Sequence, residues 1–113
     1  MKTWKIVISG QPWKYRLMST KEFSKKHDDI SETCGACVIP DKREIDFDVA
    51  EISLGVVRHE VRHAFTNELH LESASITGDQ MEEIQCSLDE NLWDKMDKAS
   101  RLIFRNLKAH SKK

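Results

Sequence analysis

Ile52-Ser53-Leu54-Gly55-Val56-Val57-Arg58-His59-Glu60-Val61-Arg62-His63-Ala64-Phe65 sets the frame for the whole chain. Apolar residues recur through it at helical spacing, and Asp48 with Glu51 three residues on has the form of a cap. A helix is therefore expected to run from there to about Leu69. Helical projection groups Ile52, Val56, His59, Glu60 and His63 on one arc, expected to face the core, and turns Glu51, Arg58 and Arg62 away. His59 and His63, at i and i+4, have Cβ atoms about 5–6 Å apart. That lets two imidazole nitrogens reach one ion at about 2.0–2.1 Å. Glu60, one step round, is a candidate base for a water held at the ion. The pattern H-E-x-x-H thus supplies two ligands, His59 and His63, and one catalytic carboxylate, Glu60.

A third ligand must come from elsewhere. The extended pattern H-E-x-x-H-x-x-G-x-x-H fails, because Thr66 and Leu69 occupy its Gly and His positions and His70 is one residue out of register. A glutamate on the next helix is the alternative. Thr77-Gly78-Asp79-Gln80 has capping-box form, and Met81, Ile84, Leu88, Leu92, Met96, Ala99 and Ile103 follow at steps of three and four, so one long helix is expected. Its first turns carry Glu82 and Glu83. Glu82 falls within the apolar arc and is the preferred ligand for Zn2+; Glu83, projecting outward, is the alternative.

Upstream, the pattern changes from helical to alternating. Trp4-Lys5-Ile6-Val7-Ile8, a turn at Gly10-Gln11-Pro12 and Trp13-Lys14-Tyr15-Arg16-Leu17 read as a hairpin. Ser19-Thr20-Lys21-Glu22 is a capping box opening a short helix to about His27. Ala36-Cys37-Val38-Ile39, a turn at residues 40–43 and Glu44-Ile45-Asp46-Phe47 form a second hairpin. Strands followed by helices give an α+β class: N-terminal antiparallel hairpins with a short helix, then the H-E-x-x-H helix and a long C-terminal helix. The 113 residues suit one domain, 1–113, with 108–113 expected to fray.

Composition bounds the partners. The net charge of −1 gives no global attraction to nucleic acid, and no run of residues is long and apolar enough to span a bilayer. Neither nucleic acid nor membrane is expected as a partner. From Asp94 onward the chain has seven Lys/Arg against two Asp, read as a solvated basic helix face. Three cysteines, an odd number, and the absence of an apolar leader point to a reducing compartment, the cytoplasm. Cys34-Gly35-Ala36-Cys37 is a competing constellation. With Cys86 and His27 it could hold a structural zinc; a redox role would need the motif to open a helix, whereas a strand is expected to follow.

Residues 36–93 resemble the minimal gluzincins, small H-E-x-x-H proteins of phages and prophages related to ImmA/IrrE-type metallopeptidases. The resemblance rests on Ile45-Asp46-Phe47-Asp48, on His59-Glu60-Val61-Arg62-His63-Ala64-Phe65 and on Glu82-Glu83-Ile84-Gln85-Cys86-Ser87-Leu88. It implies a zincin-like fold, a zinc site of His59, His63 and a glutamate of the 82–83 pair, Glu60 as base, and hydrolysis of a peptide or protein substrate. The chain departs from that family at Arg62, where a small or apolar residue is usual, and at Gln85-Cys86-Ser87, where an Ala-Asn or Ala-Asp pair follows the glutamate. If Glu44 to Phe47 is an edge strand, its backbone can receive an extended peptide. Tyr15 and His70 are candidate oxyanion stabilisers. The alternative function is a non-enzymatic, zinc-stabilised binding or regulatory module of the kind a phage encodes. So short a chain leaves little wall for a cleft, so a homodimer or an activating partner fits.

Overall fold

The computed structural model describes residues 2–27, 35–68 and 78–111, with side chains from 92 onward in the last stretch. The element order is β1 (Lys2–Ile8), β2 (Gln11–Met18), α1 (Thr20–Lys26), β3 (Ala36–Ile39), β4 (Glu44–Asp48), α2 (Leu54–Glu68) and α3 (Gly78–Ser111). This is the expected α+β arrangement. Helix α3 runs to Ser111, and residues 112 and 113 lie outside the described residues.

Local chemistry explains most of the boundaries. Ser9 and Gly10 both take positive φ, 50° and 80°, as the two central residues of a hairpin turn of right-handed twist must. The turn is therefore Ser9-Gly10, and Gln11 and Pro12 already belong to β2, Pro12 opposite Val7. Proline is tolerated there because its nitrogen faces the β4 side, and β4 pairing starts only at Lys14. The capping box of α1 forms as expected: Ser19 Oγ accepts from Glu22 N at 3.2 Å, and the Glu22 carboxylate reaches back to Ser19. Helix α2 starts later than expected. Asp48 caps only a 3₁₀ turn, accepting from Ala50 N at 3.0 Å, while Ser53 Oγ accepts from Val56 N at 3.1 Å and caps α2 itself.

The four strands lie in the order β1-β2-β4-β3. Strands β1/β2 and β3/β4 are the two expected antiparallel hairpins, but they join through a parallel pairing of β2 with β4. Strand β4 is consequently interior, and the edge strand on that side is β3. The expectation that Glu44 to Phe47 form an edge is corrected by this pairing.

Alternation then separates the two faces of the sheet. Trp13, Tyr15, Leu17, Ile45 and Phe47 point to one face and pack with Val57, Val61 and Ala64 of α2 and Met96, Ile103 and Leu107 of α3. Arg16, Glu44, Asp46 and Asp48 point to the other, beneath α1. Asp46, with no exposed side-chain surface, accepts from Arg16 Nε at 2.9 Å, Lys26 Nζ at 2.7 Å and His27 Nε2 at 2.9 Å. Arg16 also pairs with Glu44, and Thr20 donates to Asp48 at 2.7 Å.

Candidate metal centre

Helix α2 crosses the apolar face, and its phase decides what each residue of the motif meets. The buried residues of α2 are Val57, Glu60, Val61, Ala64, Phe65 and Thr66, so Glu60 faces inward as expected. His59 and His63 do not. Both are exposed, on the flank of α2 that opens toward α3. The expected arc was centred too far round, because the core-facing side is set by packing on the sheet and α3 together.

On that flank the two imidazoles converge. Their Nε2 atoms are 3.2 Å apart and the rings meet edge to face, with centroids 4.7 Å apart. Two nitrogens bound to one tetrahedral ion at 2.0–2.1 Å stand about 3.3 Å apart. The spacing of this pair is that of a hydrogen bond between the two rings, and it also matches two ligands of a common metal. Glu60, 5% exposed, lies between them in sequence and behind them in space. Burial lifts its carboxyl above the usual carboxylate range, against the opposing pull of His59 and His63.

The histidines open on a cavity of about 650 Å³ between α2 and α3. Arg58 and Arg62 line it too, which corrects the expectation that they turn away from the motif. Arg58 donates from Nη2 to Asp97 at 2.7 Å, and its guanidinium lies over the Trp93 ring, 5.4 Å from the centroid. Asp97 also accepts from Arg101 at 3.0 Å. These two hydrogen bonds, outweighing a small desolvation, hold its carboxyl below the usual range. The Arg58–Asp97 pair ties the motif helix to α3. The i,i+4 spacing of Asp97 and Arg101 was visible in the sequence, but its link to Arg58 was not.

Among the described residues no group of three His, Cys, Asp or Glu side chains gathers at one point. Glu82 and Glu83 sit in the first turns of α3, and their side chains lie outside the described residues, as do residue His70 and the Leu71 to Ile76 connection. The other candidates are better placed. Tyr15 is buried, and its hydroxyl accepts from Asn106 Nδ2 at 2.8 Å; it is a core residue, remote in role from an oxyanion. His27, the fourth member of the cysteine alternative, is committed to Asp46. Strand β3 follows Gly35 directly, as expected; Cys34 and the Cys86 side chain lie outside the described residues. Among the described residues, no helix is long and apolar enough to cross a membrane. No family model, characterised protein or solved structure matches this chain at a significant level.

Proposed function

We propose that the chain is a zinc-dependent peptidase of minimal gluzincin type, with zincin-like topology. The observation that carries this reading is the convergence of His59 and His63 Nε2 to 3.2 Å on one turn of α2, with buried Glu60 beside them. His59 and His63 would hold the ion, with Glu82, or Glu83, as third ligand. Zinc bound there would supply a Lewis acid and lower the pKa of an attacking water to about 7.

The chain's own residues do the rest. Glu60 takes the proton from the attacking water and delivers it to the leaving amine nitrogen. Its place beside the two histidines on one turn of α2 puts a carboxylate within reach of a water held there. The peptide would enter the cavity between α2 and α3 on which both histidines open. Arg58, Trp93 and Met96 then form the cavity wall that a substrate side chain meets.

Metal content and cleavage of a mixed peptide library test the reading together. The wild type should bind one zinc and cleave; His63→Ala and Glu82→Ala should lose the metal, with Glu83→Ala retaining it. Glu60→Gln should keep zinc and lose cleavage. Cleavage retained by Glu60→Gln refutes the mechanism. Zinc binding without cleavage by the wild type would replace the peptidase with the zinc-stabilised binding module.

A further inference from the structure

The end of α3 carries a feature independent of the histidine site. From residue 98 onward the sequence has Lys98, Arg101, Arg105, Lys108, Lys112 and Lys113 and neither Asp nor Glu. The first four lie on α3 and are exposed. At about 3.6 residues per turn they fall within about 80° of one another, centred about 150° from the buried residues Met96, Ser100, Ile103 and Leu107. The ladder is about 15 Å long and points directly away from the core.

Its charges are poorly balanced. Arg101 pairs with Asp97 at 3.0 Å, and Lys108 lies over the Phe104 ring at 5.9 Å. Lys98, Arg105 and Lys108 have no acidic partner among the described residues. A purely solvated helix face ordinarily interleaves signs, because opposite charges at i,i+4 stabilise it by about 0.2–0.5 kcal/mol and like charges cost as much. Here Lys98 and Arg101 stand four after Asp94 and Asp97, but Arg105 and Lys108 have no acid at that spacing, and Arg101–Arg105 four apart and Arg105–Lys108 three apart are like-charge pairs. Asp94 and Asp97 mark the upstream limit of the face. A polyanion laid along it would relieve this repulsion.

The face also restricts the kind of polyanion. Unstacked bases need exposed aromatic platforms set among the cations; the ladder has only Phe104, half-buried and already covered by Lys108. A lipid surface needs apolar side chains beside the cations; Leu102, 38% exposed, is the one large apolar side chain counted as exposed on this part of α3. What a straight ladder of cations fits is the regular phosphate backbone of a duplex. We infer that the outer face of α3 binds the phosphates of double-stranded nucleic acid without reading its sequence.

Fluorescence anisotropy of the full chain with a labelled DNA duplex tests this. Three to four phosphate contacts give log Kobs against log salt a slope of about −3. Lys98→Glu with Arg105→Glu should reduce affinity at least tenfold and flatten the slope by about two, with an unchanged circular dichroism spectrum. Lys21→Glu with Lys25→Glu, exposed on α1, should leave both within twofold of wild type. Three outcomes would each overturn the proposal: no duplex binding at about 50 mM salt, equal binding by the Lys98/Arg105 variant, or equal or tighter binding of anionic vesicles or polyglutamate.

Discussion

The two faces of the sheet each bury a carboxylate, and they treat it in opposite ways. Beneath α1, Asp46 is enclosed by Arg16, Lys26 and His27. Desolvation alone would raise its pKa, but the hydrogen bonds from Lys26 and His27 and the charge of Arg16 overcome it and hold the carboxyl low. Beneath α2, on the apolar face, desolvation wins and Glu60 is held high. An acid surrounded by cations is fixed in its ionised form and serves as a joint. An acid left among Val57, Val61 and Ala64 is disfavoured in its ionised form by the loss of water around it.

The contrast is easiest to break at Asp46. Asp46→Ala removes the buried acceptor shared by Arg16, Lys26 and His27 under α1 and should destabilise the fold by about 3–5 kcal/mol in urea unfolding. Ile103→Ala, on the other face, should cost about 2–4 kcal/mol through lost burial and cavity formation. If Asp46→Ala proves milder than Ile103→Ala, the charged face is a solvated surface and the account of α1 fails. Ser19→Ala removes one half of the capping box that starts α1 and should cost about 1 kcal/mol.

Acid titration sharpens the same contrast. Asp46 has a folded pKa below its unfolded value of about 3.9. The unfolded chain therefore binds more protons across that interval. The stability Asp46 contributes is fully present above about pH 4–5 and is lost as pH falls through the depressed folded value. Asp46→Asn should remove this part of the acid limb. Glu60 has the opposite sign: its raised folded pKa makes ionisation unfavourable to the fold above the unfolded value of about 4.3. In metal-free protein Glu60→Gln should be at least as stable as wild type at pH 7, and the difference should shrink as pH drops toward 4. A loss of stability in that variant would show that Glu60 is a structural acid like Asp46.

These differences mark what could be read without coordinates. The Ser19–Glu22 capping box and both hairpins were legible, since each depends on residues a few positions apart. The parallel joining of β2 to β4 was not, because alternation assigns a strand its faces and leaves its neighbours open, so nothing in the sequence separates an edge β4 from an interior one. Alternation in Ile45-Asp46-Phe47-Asp48 gave one apolar and one polar side, but polar did not mean wet. The signal for a covered polar side was Lys26-His27 at the end of α1, two cation-capable residues beside an alternating acid. At the motif, spacing correctly brought His59 and His63 together. It misplaced their outlook, because the flank that α3 leaves open depends on the packing angle of two helices.

Strand β4 also has a kinetic consequence. Its pairing with β2 links residues such as Arg16 and Asp46, separated by 30 positions, whereas each hairpin closes over a few. Chain entropy favours the short closures first. Two preformed hairpins would then meet at a single seam, and the seam admits one alignment. A slip by one residue would drive Glu44, Asp46 and Asp48 into the space filled by Ile45 and Phe47. The barrier to folding is therefore expected at the docking of β4 on β2, so that Ile45→Val slows folding while Val7→Ala, at an exposed position of the first hairpin, leaves the rate unchanged.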